Sequence, residues 1–180
     1  VGDGGVQPGA DRLSRGGGGA GRGWEQVAAR PLAEQAPRGG EEAIALLSAP
    51  QCPGGRRTIV LHGEQVALQI HESIGHALEL DRMLLGEASY AGTSWVQPWD
   101  LDPDRPGGPL RYGSPLLNIT ADATLPGGLG SFGWDDEGTP GRSYTLIEDG
   151  LLRAALSNRE SAAAIGLRAS GGCARADGFA

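Results

Sequence analysis

The sequence predicts an α+β fold in which a long helix lies against a mostly antiparallel sheet. Three observations carry this reading. Apolar residues recur at helical spacing from Val66 through Ile70, Ile74, Ala77 and Leu78 to Leu85. Short β-branched runs separated by Gly-containing turns fill the part of the chain beyond them. The order of elements is helix, strand, helix and then mostly strands, which is the order of an α+β domain.

Taken from the start, the Gly16–Gly19 tract, flanked by Arg15 and Arg22, reads as a flexible linker. A phosphate-binding loop would need a strand before it, a helix after it and a Lys-Ser/Thr signature, and the sequence has none of these. Trp24 to Ala36 reads as a short helix in two pieces or kinked at Pro31. Pro37, Gly39 and Gly40 punctuate it. Glu41 to Leu47 then forms a compact helix with Ala43, Ile44 and Leu47 on one face, ended by Pro50, Pro53, Gly54 and Gly55. Arg57 to His62, with Thr58, Ile59 and Val60 β-branched, is a predicted strand.

Gly63 turns the chain into the long helix, predicted to run to about Leu85. Gly86 to Gly113 is a long loop rich in Gly, Pro, Trp and Asp, of the kind that serves as a lid or binding loop. Strands are predicted at Leu116–Ala123 and Ser131–Trp134, with a glycine turn between them. Ser143–Ile147 and Leu151–Leu156 form a hairpin around Glu148-Asp149-Gly150. Ser157 caps a final short helix, with Glu160 completing a capping box and Gly166 ending the helix.

Net charge is −7, from 22 acids against 15 bases, and every base is arginine. An acidic chain without a basic cluster argues against nucleic-acid binding. No run is long enough for a membrane helix and no apolar leader opens the chain, so a cytoplasmic location is expected. Cys52 and Cys173 are too few for a disulfide framework. The chain begins with Val1, not Met. It is expected to be a fragment of a larger two-domain protein: residues 1–40 a Gly-rich linker and the end of one domain, residues 41–180 the first part of a second.

The long helix carries the chemistry. His71, Glu72 and His76 sit in the run Gln69 to Asp81, and two of the chain's three histidines are in it. Imidazoles bind zinc, and a neighbouring carboxylate can take a proton from water activated by the metal. The zinc-peptidase helix places its histidines four apart, so that both rings share a face. Here they are five apart, about 140° around a regular helix, and the rings would diverge. A turn with i to i+5 bonding realigns them, and Gly75 is the residue expected to permit it.

A pair of core histidines is the alternative, but it leaves a costly carboxylate beside them unexplained. A catalytic zinc takes three protein ligands. The further candidates are His62, Cys52, Cys173, Glu79 and Asp81. Glu79, three residues after His76, is either a third ligand or a support behind the ligands. Asp81 and Arg82 are expected to pair with each other.

The run from His71 to Arg82 resembles the metal-binding helix of the TldD/PmbA family of zinc metallopeptidases. The resemblance extends, in the family's order, over Ala91-Gly92-Thr93-Ser94, Ala121 to Gly128, Asp135 to Gly141 and Arg175 to Gly178. It implies that zinc is bound by His71 and His76, that Glu72 is the general base, and that Asp136, like Glu79, supports the ligands. It implies a peptidase acting on peptides or unstructured segments and paired with a homologous second subunit that lacks the motif. It further implies a third ligand, a cysteine, in a C-terminal domain downstream of Cys173. Older labels call the family modulators of DNA gyrase. The competing reading is a non-catalytic module, either metal-stabilised or a partner subunit of a peptidase complex.

Overall fold

A computed structural model describes residues 23–128 and 130–175. The Gly16–Gly19 tract and the resemblance at Asp177-Gly178 lie outside them. The chain divides into two units, residues 1–65 and 66–180.

In the first unit, α1 (Glu25–Ala28) and α2 (Leu32–Leu47) are separated at Pro31, which is the expected break. α2 then runs through Pro37, Gly39 and Gly40, where the sequence suggested interruption. Good helix formers flank these residues on both sides, and an Arg38–Glu42 pair at 2.8 Å spans the glycines one turn apart. No residue of α2 is buried. Arg57 to His62 is not a strand. Ile59 is 71% and Val60 95% exposed, and none of the described strands pairs with the segment. β-branched residues favour an extended chain, but a strand exists only with a hydrogen-bonded neighbour.

The long helix is a succession of shorter pieces. α3 (Gly63–Ile70) leads into a π-turn at His71–Gly75, a 3₁₀ turn at His76–Leu78 and α4 (Leu80–Met83). The helix breaks at Glu79, whose backbone is extended, at φ −73° and ψ 118°. The cause is tertiary: the Leu80 N–H donates to the Leu156 carbonyl and the Leu156 N–H to the Leu78 carbonyl, both at 2.8 Å. This parallel bridge competes with helix continuation and displaces it. The helical run does end near Leu85 as expected: α4 stops at Met83, and Leu85, with a left-handed φ of 65°, closes it as the Gly86 N–H donates to the Asp81 carbonyl.

The sheet has the order β1-β2-β3 and is antiparallel throughout. β1 (Ile119–Asp122) pairs with β2 (Ser143–Glu148), with a bulge between Ile119 and Thr120. β2 turns into β3 (Leu151–Leu152), shorter than expected. The connecting Asp149 and Gly150 both have positive φ, 50° and 74°, which suits the right-handed twist of a tight hairpin. At Gly150 the demand is also steric, because a Cβ would lie 2.4 Å from the Ser114 carbonyl oxygen. Ser131–Trp134 is not a strand; it keeps a single bridge, Trp134 to Pro140.

α5 (Arg159–Ala164) is capped one residue later than expected. Asn158, not Ser157, accepts from the Ser161 N–H at 2.7 Å, and the Asn158 N–H donates to Ser161 Oγ at 3.1 Å. Ser157 is buried and accepts from the Gly171 N–H instead. Gly166, at φ 74°, closes the helix: its N–H donates to Ala163, and that of Leu167 to Ala162.

One hydrophobic cluster joins helix and sheet. Ile74, Leu78, Leu80 and Met83 pack with Val96, Leu146, Ile147 and Leu152. The π-turn thus sits directly above the core, fixed from below by Ile74 and Leu78.

Candidate metal centre

In the turn from His71 to Gly75, the His76 N–H donates to the His71 carbonyl five residues back. This is the i to i+5 bonding that the histidine spacing anticipates. The two rings meet edge to face, their centroids 4.4 Å apart. One ligand atom from each of His71, Glu72 and His76 lies within 4.8 Å of the other two. It is the one such grouping of His, Cys, Asp and Glu among the described residues. His71 and Glu72 are exposed and His76 is half-buried, so neither ring belongs to the core.

Gly75 does not have the part expected of it. Its φ of −52° and ψ of −66° are ordinary helical values, and a Cβ there would meet only the Ile70 carbonyl oxygen, at 3.7 Å. The turn is held from outside instead. The Tyr112 hydroxyl donates to the Ser73 carbonyl at 2.6 Å, and the Ser94 hydroxyl to the Ala77 carbonyl at 2.6 Å. With the two bonds to Leu156, they fix the backbone from Ser73 to Leu80 at four points, each contributing about 0.5–1.5 kcal/mol net. Burial pushes the Tyr112 phenol above its ordinary value, so it stays protonated and able to donate.

His76 is oriented by its neighbours. Its Nδ1 lies 2.9 Å from Glu79 Oε1, and the Arg82 Nε–H donates to Glu79 Oε2. An Arg82 terminal nitrogen also comes within 3.2 Å of the same Nδ1. One ring nitrogen cannot donate to a carboxylate and accept from a guanidinium at once. The carboxylate is nearer and is the anion, which favours the tautomer with Nδ1–H donating to Glu79. Nε2 is then left with its lone pair outward, the form a metal takes. Two imidazoles and a carboxylate of this kind fit zinc chemically. Arg82 does not form the expected ion pair with Asp81; only its backbone N–H reaches that carboxylate, at 3.2 Å.

His71, His76, Glu79, Asp136 and Cys173 line one cavity of about 1100 Å³. The Asp136 N–H donates to the Ala174 carbonyl at 2.9 Å, which holds the far wall. Behind it, Asp135 is buried. Burial works to raise its pKa, but backbone N–H groups of Thr139, Ala174 and Glu137 outweigh that and hold it below the usual carboxylate range. The Cys173 thiol lies 3.1 Å from the Tyr144 hydroxyl, whose pKa is raised by burial and by this contact. Asp81 also lines the cavity but stands outside the ligand grouping, as do exposed Cys52 and His62. Tyr112, Ser94 and Arg82 carried no signal for these roles in the sequence, because each acts through a contact that only the folded chain creates.

A His/Glu/His grouping able to hold a metal, carried on a π-turn over the core of a small α+β domain, is what fold and site define together. Residues 54–180 match the family model described as the PmbA/TldA metallopeptidase C-terminal domain. The chain belongs to the PmbA/TldD metallopeptidase family. Metalloprotease MJ0996 of Methanocaldococcus jannaschii is 34% identical over 137 residues, 76% of this chain. A metalloprotease of Methanothermobacter thermautotrophicus is 34% identical over 156 residues, 87% of this chain. The chain spans 27% and 31% of the length of these two relatives. Its fold also resembles the crystal structure of a Thermotoga maritima protein described as a modulator of a DNA gyrase, with a TM-score of 0.55. That match covers 84% of this chain and 32% of the other at 23% identity, a likeness of fold alone.

Proposed function

We propose that the chain is the metal-binding part of a zinc-dependent metallopeptidase that cleaves peptides or unstructured protein segments. On this reading it acts in the cytoplasm, paired with a homologous second subunit. The observation that carries the proposal is the convergence of His71, Glu72 and His76 within 4.8 Å, with both histidines lining a large cavity. Membership of a family whose relatives are named metalloproteases supports it. No helix among the described residues is long and apolar enough to cross a membrane.

His71 and His76 would hold zinc through their ring nitrogens. Glu79 orients His76, and Asp136 supports the site from another part of the same cavity's lining. Zinc bound there would polarise the scissile carbonyl and lower the pKa of water to about 7. Glu72 takes a proton from the attacking water at a carboxylate oxygen and returns it to the leaving amine nitrogen. The substrate lies extended, so that main-chain hydrogen bonds hold it whatever its sequence.

The test is metal analysis of the full-length protein together with a Glu72→Gln variant. Stoichiometric zinc is expected in both, with kcat for peptide cleavage reduced about 10²- to 10⁴-fold in the variant. Protein that retains no zinc, or a variant with undiminished cleavage, overturns the proposal.

A further inference from the structure

Arg82 is the most heavily engaged side chain near the centre, and neither metal binding nor proton transfer uses it. Its side chain is only 16% exposed. Nε binds Glu79, one terminal nitrogen donates to the Ala91 carbonyl at 2.7 Å, and Glu87 lies 3.9 Å away. Glu79 is in turn the partner of His76 Nδ1. One planar cation therefore bridges two walls of the same cavity: the turn that carries the histidines and the loop from Leu85 to Gly92. That loop packs few apolar groups. Leu85 is 63% and Tyr90 89% exposed, and its backbone turns on left-handed residues at Leu85 and Gly92.

We propose that Arg82 is a positioning residue that makes the 85–92 loop and the His76 ligand one mechanical unit. The inference rests on His76 being a zinc ligand. Arg82 holds the Glu79 carboxylate so that it accepts from Nδ1, which keeps Nε2 toward the metal. With its other arm it ties the loop down through Ala91. Ordering of His76 by zinc is then transmitted to the loop, and a peptide that presses on the loop reaches the metal site by the same route. The fork geometry matters. Lysine carries its three N–H groups on one nitrogen and lacks the planar fork whose separate arms here reach the Glu79 carboxylate and the Ala91 carbonyl.

Two readouts on the full-length protein test this, neither of them activity. The first is zinc affinity, by competition with a chromophoric chelator. Arg82→Ala is expected to weaken zinc binding about 10- to 100-fold, the range for outer partners of metal-binding histidines. Glu79→Gln should weaken it similarly, and the double variant no further than the weaker-binding single, since the two act in series. Arg82→Lys should keep affinity close to wild type.

The second readout is hydrogen exchange of the Tyr90 and Ala91 amides, both of which donate to Glu87. Zinc should slow their exchange in the wild type but not in Arg82→Ala or Arg82→Lys. The lysine variant keeps the test informative if the alanine variant does not fold. Unchanged zinc affinity in a folded Arg82→Ala protein, or zinc protection of the loop that persists in Arg82→Lys, overturns the inference and leaves the proposed function standing. A wild type that binds no zinc overturns both.

Discussion

α2 and the metal-bearing segment are both helical by sequence pattern, and they fold in opposite ways. α2 keeps one regular geometry for 16 residues, across a proline and two glycines, while burying none of them. The run from Gly63 to Met83 changes geometry three times and buries Ile74, Leu78, Leu80 and Met83. α2 keeps its geometry with no buried face to impose another one. Where the core pulls on one face and four hydrogen bonds grip the backbone, the contacts decide instead. Irregularity here marks the strongly held segment, not the weak one.

The largest effect that could break this contrast is in the core. Leu78, fully buried beneath the turn, should cost about 2–5 kcal/mol when changed to Ala, read as a shift in the urea unfolding midpoint. Leu46→Ala on α2, at a residue 52% exposed, should stay within about 0.5 kcal/mol. Equal losses at the two positions would erase the distinction.

Asp135 extends the contrast to segments with no regular structure. Its carboxylate accepts from three backbone N–H groups, so Asp135→Asn should cost about 1.5–3 kcal/mol at neutral pH. The sign follows from its lowered folded pKa. The stabilisation is present above the ordinary carboxylate pKa and is lost as pH falls through the depressed value. Acid unfolding of the asparagine variant should therefore show a shallower dependence on pH.

Tyr112→Phe removes only the hydroxyl that grips Ser73. A loss of about 0.5–1.5 kcal/mol is expected, with weaker zinc binding, if the turn is held from outside. The smallest effect is expected at Gly75. Alanine fits there, so stability should hold or rise by about 0.5–1 kcal/mol, with zinc affinity unchanged. Loss of zinc in Gly75→Ala would restore the glycine as the cause of the turn.

The features legible in the sequence were those set by spacing. A five-residue histidine interval required an i to i+5 turn, and Asp149-Gly150 required a tight hairpin. The Pro31 break and the Gly166 stop also follow from the local chain. What stayed hidden depends on partners far along the chain. The helix stops at Glu79 because of Leu156, the turn is held by Tyr112 and Ser94, and Arg82 reaches Ala91 in preference to Asp81. Arg57–His62 erred the other way, since β-branched residues gave a strand pattern with no neighbour to pair with. Ser157 and Asn158 are adjacent and both able to cap. Only the burial of Ser157 under Gly171 decides between them.

Counted along the chain, the π-turn behaves as a single added residue. Within a uniform α-helix, one extra residue rotates everything downstream by about 100°. Here the local i to i+5 bond absorbs that rotation before His76, so both rings still meet. Removing Ser73 or Ile74 would bring the histidines to the four-residue interval of the zinc-peptidase helix. One codon separates the two spacings. A search for the four-residue motif would pass over this chain, although its histidines come together in the same manner.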